Sequence, residues 1–365
     1  MTDSKASSRL ERWLRPEIRA LQAYHVADAT GMIKLDAMEN PYRWPAELLA
    51  PWQQHLQGAE LNRYPDPDAQ ILALALRQAL EIPGTAGLLL GNGSDELIQL
   101  IMLSVAGPGR VIMAPEPGFS MYQMIATFVG LDFVGVPLRQ PDFALDTQAM
   151  LTAIDRHQPA VVFLAYPNNP TGNLFDDETI RRIIAAAPGL VVIDEAYHAF
   201  AESSWMERVP EYDNLMILRT LSKMGLAGLR LGMLIAARAW TEQINKIRLP
   251  YNINCLTQLS AAFAMEQYAT LRTQTERIIR DRETLYGQLA QISGLTVYPS
   301  RANFILFRTP QGTANDIYAG LRRDGILIKN LHKTDTVLAD CLRVTVGTAS
   351  ENEAFLTSLR RLVRA

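Results

Sequence analysis

Cysteine is scarce in this chain. Among 365 residues there are two, Cys255 and Cys341, too few and too far apart for a disulfide framework or a metal site, so both are expected to be packed thiols. Long apolar runs are missing as well. No stretch approaches the roughly 20 residues that cross a bilayer. The polar first residues hold no apolar signal core, and a cytoplasmic location is the expectation. Neither sign of charge dominates: 35 Lys and Arg face 38 Asp and Glu, a net charge of -3, with no block of like charge. That balance gives no electrostatic basis for binding nucleic acid and no sign of a charged tail. Repeats and low-complexity segments are absent too. What remains is a globular composition, 48% hydrophobic and 20% charged, long enough to bury a sizeable core and to hold more than one folded unit.

Seven short apolar runs bounded by Gly, Pro or polar residues read as strands: 87–91, 110–114, 131–136, 160–165, 190–194, 215–219 and 231–236. Helical patterns such as 95–105 and 177–187 lie between them. Their alternation predicts an α/β fold in which a mainly parallel seven-stranded sheet is covered by helices. Residues 1–40 read as an N-terminal arm, part of the smaller unit, and 41–254 as the large domain. Residues 255–365 read as a smaller α/β domain, opened by a long helical stretch over 256–292 and continued by short strands and two helices.

The chemistry starts at Thr220-Leu221-Ser222-Lys223-Met224-Gly225-Leu226-Ala227-Gly228-Leu229-Arg230, where an apolar strand runs into a lysine beside a hydroxyl, with an arginine downstream. An ε-amine forms a Schiff base with an aldehyde, and Ser222 and Arg230 can receive a phosphate through charge-assisted hydrogen bonds. The phosphate-bearing aldehyde this describes is pyridoxal 5'-phosphate. Upstream, Val191-Val192-Ile193-Asp194-Glu195-Ala196-Tyr197 delivers a carboxylate and a phenol at the end of a buried strand. Asp194 suits a pyridinium nitrogen, which, kept protonated, lets the ring accept electrons. Tyr197 suits the ring's 3-oxygen, as does Asn169 from the turn Tyr166-Pro167-Asn168-Asn169-Pro170-Thr171-Gly172. After Leu88-Leu89-Leu90, the turn Gly91-Asn92-Gly93-Ser94 enters a helix near Asp95, so the N–H groups of Gly93, Ser94 and Asp95 can point at an anion. A plainer reading is a helix capped by Ser94 or Asp95. Each piece alone has such a plain reading. Together, Asn169, Asp194 and Lys223 appear in order at the ends of apolar runs, where ligands collect at the carboxyl ends of parallel strands.

Further motifs extend the pattern: Arg15-Pro16-Glu17-Ile18-Arg19, Asn62-Arg63-Tyr64-Pro65-Asp66, Gly91-Asn92-Gly93-Ser94-Asp95-Glu96 and Cys341-Leu342-Arg343-Val344-Thr345-Val346-Gly347. Over nearly its whole length the chain resembles the fold-type I pyridoxal-phosphate aminotransferases, and among them the histidinol-phosphate aminotransferases. That resemblance implies Lys223, Asp194 and Tyr197 as catalytic residues. It also implies Phe119 stacked on the cofactor ring, where many relatives carry Tyr. Tyr64 is expected to reach the cofactor phosphate of the neighbouring subunit, which would make a homodimer with shared active sites obligatory. Arg343, in an alternating apolar strand, needs a cavity or an anion. The resemblance makes it a contact to the substrate's acidic group, joined by Asn169 and by Tyr24 from the arm, with Lys329 standing where some relatives have arginine. The implied reaction converts L-histidinol phosphate and 2-oxoglutarate into imidazole acetol phosphate and L-glutamate. Threonine-phosphate decarboxylase and aromatic amino-acid aminotransferase share the cofactor residues and stay open as alternatives, as does a pyridoxal-phosphate-binding regulatory protein. One departure lies in the lysine motif, where the segment from Lys223 to Arg230 is one residue shorter than the family pattern.

Overall fold

A computed structural model of the chain describes residues 9–23, 26–334 and 336–364. Strand β1 (Ile33–Lys34) lies in the arm. The seven expected runs are the next seven strands, with ends shifted by a residue or two: β2 (Ala86–Asn92), β3 (Val111–Glu116), β4 (Asp132–Pro137), β5 (Val161–Ala165), β6 (Leu190–Asp194), β7 (Leu215–Thr220) and β8 (Leu231–Ala237). They form one sheet in the order β2-β8-β7-β6-β5-β3-β4. The pairs among β3 to β7 are parallel, while β8 runs antiparallel to both its neighbours.

The period of two along each strand sends successive side chains to opposite faces. Val161, Phe163, Val192 and Met216 meet helices Ser94–Val105 and Met121–Val129 in one buried cluster. Val162, Leu164, Val191 and Ile217 meet helices Gln70–Ala79, Thr147–His157 and Asp177–Ala186 in another. With both faces covered, β5 and β6 are buried at every residue, which is why they read as unbroken apolar runs. Asp146 and Asp176 begin two of these helices by accepting the N–H of Ala149 and Thr179.

The stretch 256–292 is two helices, Cys255–Glu266 and Tyr268–Ala290, parted at Gln267 (φ -99°, ψ 22°). The first packs Ala261, Ala262 and Met265 into the cluster beneath the large sheet. The second carries Ile278, Leu285 and Leu289 to a separate core. That core also holds a four-stranded antiparallel sheet built from β9 (Thr296–Val297), β10 (Phe304–Arg308), β12 (Lys329–Asn330) and β13 (Cys341–Thr345), in the order β12-β13-β10-β9. Helices Ala314–Arg323 and Ala349–Arg364 cover it through Ile317, Leu321, Phe355 and Leu359. In the arm, β1 pairs in parallel with β11 (Ile326–Leu327), and the Leu35 carbonyl accepts from Thr345 N–H at 2.9 Å. Residues 36–38 then cross to the carboxyl ends of the large sheet, where Asp36 and Ala37 accept from Arg343 and Lys223.

Candidate active site

The carboxyl ends of β5, β6 and β7 open into a cleft of about 590 Å³. Ser94, Asp95, Phe119, Asn169, Asp194, Tyr197, Ser222, Lys223 and Arg230 all line it. Strand β6 delivers Asp194 into low-dielectric surroundings, and burial pushes its pKa up to about 6. Two hydrogen bonds to the ionised form oppose that rise, from the Tyr122 hydroxyl at 2.7 Å and from Ala196 N–H at 3.1 Å. The next residue, Glu195, turns away and is fully buried; it accepts from Trp205 N–H at 2.6 Å and from Arg219 Nε at 2.9 Å. Because Arg219 lies on β7, this buried ion pair ties together the ends of the strands that carry Asp194 and Lys223. Loss of either partner would leave an uncompensated buried charge, a cost of roughly 3–5 kcal/mol.

Lys223 sits in a single helical turn, Ser222–Met224, just after β7. Its Nζ donates to the Ala37 carbonyl at 3.1 Å and lies 5.8 Å from the centre of the Tyr197 ring. Burial first, and then the charge of Arg343, lower its pKa to about 8. Tyr197 is packed edge-on against Phe304 and receives a hydrogen bond from Asn169 Nδ2 at 3.3 Å. Asn169 Oδ1 accepts from Arg343, so one amide joins the expected ring-oxygen partner to the expected substrate cation.

Helix Ser94–Val105 begins at Gly93, and no side chain caps it. The plain alternative of a cap by Ser94 or Asp95 therefore falls. An uncapped N-terminus of this length attracts an anion with roughly 0.3–2 kcal/mol. Gly93 has φ +88°, a left-handed conformation that favours glycine, and the Arg230 guanidinium lies against it. Arg230 comes within 3.5 Å of Ser222 Oγ and 3.9 Å of Asp95 Oδ2. The shortened loop still brings the guanidinium to the helix end, with Gly225 at φ +108° making the turn. An anion cradle, an amine of lowered pKa and a buried carboxylate in one cleft fit a phosphate-bearing pyridine aldehyde.

A second cavity, of about 870 Å³, shares Met38, Phe119 and Asn169 with the first and is lined by Lys329, Lys333 and Arg343. The register of β12 against β13 sets Lys329 opposite Arg343. Arg343 is buried and also donates to the Asp36 carbonyl at 3.2 Å. Tyr64 lines neither cavity. It is 80% exposed and stacks on Tyr251, ring centres 4.4 Å apart, beside a different groove. Tyr24 lies outside the described residues. In the other direction, no sequence pattern pointed to Tyr122, Met38 or the Ala37 carbonyl. Tyr122 reads as one more residue on an apolar helix face, and a backbone carbonyl carries no sequence signal.

This sheet, with its lysine and aspartate at adjacent strand ends, defines a fold-type I pyridoxal-phosphate-dependent enzyme. The family model for aminotransferase class I and II matches residues 30–359. A histidinol-phosphate aminotransferase of Nitrosococcus oceani is 56% identical over 96% of this chain and 98% of its own length. Another, of Chromobacterium violaceum, is 49% identical over the same shares. The chain belongs to the class I and II aminotransferases, in the histidinol-phosphate aminotransferase family. Among solved structures, the Sinorhizobium meliloti histidinol-phosphate aminotransferase in complex with pyridoxal 5'-phosphate superposes with a TM-score of 0.86 at 24% identity, covering 96% of this chain and 98% of that one, and so shares its fold.

Proposed function

We propose that this chain moves the amino group of L-histidinol phosphate to 2-oxoglutarate, yielding imidazole acetol phosphate and L-glutamate, as a step of histidine biosynthesis in the cytoplasm. The observation that carries the reading is the pairing of the two cavities: one with the chemistry for pyridoxal phosphate, the other, a shared wall away, holding three cations. Bound pyridoxal phosphate supplies an electron sink for the pair left when the substrate Cα loses its proton. The first-turn N–H groups of Ser94 and Asp95, with Ser222 and Arg230, would hold its phosphate, whereas the expected Gly93 N–H is already donated to the Gly91 carbonyl at 2.8 Å. Phe119 would stack on the ring, Asp194 would hold the proton on the ring nitrogen, and Asn169 and Tyr197 would face the 3-oxygen. Lys223 Nζ would hold the cofactor through its aldehyde and would serve as the base that takes the α-proton. Its lowered pKa keeps more of it neutral near physiological pH than an ordinary lysine. Arg343 would bind the acidic end of either substrate, assisted by Lys329 and by Tyr24.

The same reading includes a homodimer in which Tyr64 serves the partner's phosphate site; its exposure and its absence from the lining of this chain's own cleft support that. It also includes the division into an arm over 1–40, a large domain over 41–254 and a small domain over 255–365; two separate sheets support the division, although helix Cys255–Glu266 packs into the core of the large sheet. The test is a steady-state comparison of histidinol phosphate, threonine phosphate, phenylalanine and tyrosine as substrates. Histidinol phosphate should lead in kcat/KM with glutamate formed from 2-oxoglutarate. Release of carbon dioxide from threonine phosphate, or preference for an aromatic amino acid, would replace the reading with one of its neighbours.

A further inference from the structure

We propose that Tyr122 is a positioning residue for cofactor binding: its hydroxyl holds the Asp194 carboxylate in the orientation that meets the ring nitrogen. The inference rests on the reading of Asp194 given above. Tyr122 is the second residue of helix Met121–Val129 and is 1% exposed. Its hydroxyl donates to Asp194 Oδ2 at 2.7 Å, while Ala196 N–H occupies Oδ1. With a donor on each oxygen, rotation about the carboxylate axis breaks at least one charge-assisted bond.

The tyrosine ring is itself held between two aromatic rings. It stacks on Phe163 of β5, centres 4.7 Å apart, and meets Phe119 edge-on at 5.4 Å. The hydroxyl therefore has a fixed place, and Phe119, the expected stacking partner of the cofactor, leans on the same ring. A phenol buried beside a carboxylate has its own pKa raised well above the usual value, so it stays a donor. The plain reading is a core tyrosine whose hydroxyl has merely found an acceptor. The two readings differ in one respect: only positioning acts on the ring nitrogen.

The experiment uses the full chain stripped of cofactor and measures dissociation constants by protein fluorescence. Two cofactors are compared: pyridoxal phosphate, and its analogue with C–H in place of the ring nitrogen. Tyr122→Phe keeps the ring and removes the hydroxyl. It should weaken pyridoxal phosphate roughly tenfold, the loss of one charge-assisted hydrogen bond, and leave the analogue within about twofold. In an Asp194→Asn background the same change should add nothing for either cofactor. Equal weakening of both cofactors, or of neither, overturns the proposal. Asp194→Asn supplies the separate check: it must discriminate between the two cofactors, and if it does not, the Asp194 reading fails and takes this one with it. If Asp194→Asn discriminates and Tyr122→Phe does not, the positioning role alone fails. Should Tyr122→Phe not fold, 3-fluorotyrosine at position 122 keeps the shape and strengthens the donor. It must then move the ratio of the two constants in the opposite direction, and an unchanged ratio overturns the proposal.

Discussion

Lys223 and Asp194 are perturbed by the same cause, burial, in ways that follow from their opposite charges. For Lys223, burial and the nearby Arg343 disfavour the ammonium, giving a pKa of about 8 in place of 10.5. Only the neutral amine attacks an aldehyde. The rate at which pyridoxal phosphate attaches to the cofactor-free protein should therefore rise as pH climbs through about 8 and level off above it. An ordinary lysine would still be gaining at pH values near 10. Arg343→Leu removes one of the lowering charges, so the midpoint should move upward. Absorbance of the attached cofactor against pH reads both, and borohydride should fix the label to one peptide, the one holding Lys223. For Asp194, a folded pKa of about 6 against 3.8 means that folding favours the protonated carboxyl. Its stabilising contribution to the cofactor-free protein is full below about 3.8 and is lost as pH rises through about 6. At neutral pH the buried carboxylate opposes folding. Asp194→Asn should thus unfold, without cofactor, no earlier than the wild type at pH 7.5. Turnover should nonetheless collapse, by roughly tenfold for each 1.4 kcal/mol lost from the protonated ring nitrogen. A melting curve and single-turnover kinetics separate the two effects; a large drop in melting temperature would mean that Asp194 is structural.

At the scale of elements, the large sheet was legible because its strands are buried on both faces and so appear as bounded apolar runs. Asp194 and Lys223 were legible because each ends such a run. The direction of β8 was not, since an antiparallel strand with both faces covered carries the same pattern as a parallel one. The break at Gln267 also left no mark: neither Gly nor Pro stands there, and the bend follows from the two helices packing into different cores. Tyr122 and the arm carbonyls of Asp36 and Ala37 reach the site through contacts distant in sequence, which no local pattern records. The pair β12 and β13 carries its own prediction, because their register sets two cations on one cavity. Arg343→Leu should lower kcat/KM for histidinol phosphate and for 2-oxoglutarate alike, by about tenfold or more for a lost charge-assisted contact. Lys329→Ala should penalise histidinol phosphate more than histidinol, with the bound cofactor's spectrum unchanged. Equal losses on the phosphorylated and unphosphorylated donors would make Lys329 a surface lysine.

At the scale of the whole molecule, one residue of the family pattern stands apart from the rest. Tyr64 projects from the loop before helix Gln70–Ala79, with Leu61 and Ile71 exposed near it and Tyr251 stacked on its ring. That much apolar and aromatic surface around a phenol absent from its own chain's cleft is what a shared site between two copies requires. If the dimer is built this way, Tyr64→Phe should weaken cofactor binding through one phosphate hydrogen bond, at a cost of roughly 1.5–3 kcal/mol. Lys223→Ala should abolish turnover in its own chain. Each active site would draw its lysine from one chain and its tyrosine from the other. A mixed dimer of the two variants therefore holds one site carrying both defects and one carrying neither. Co-expressing the two chains with different affinity tags isolates that mixed dimer, and near half of wild-type turnover per dimer at limiting cofactor is the expected result. If Tyr64 served its own chain instead, both sites of the mixed dimer would carry one defect, and turnover at limiting cofactor would stay at the level of the Tyr64→Phe site alone.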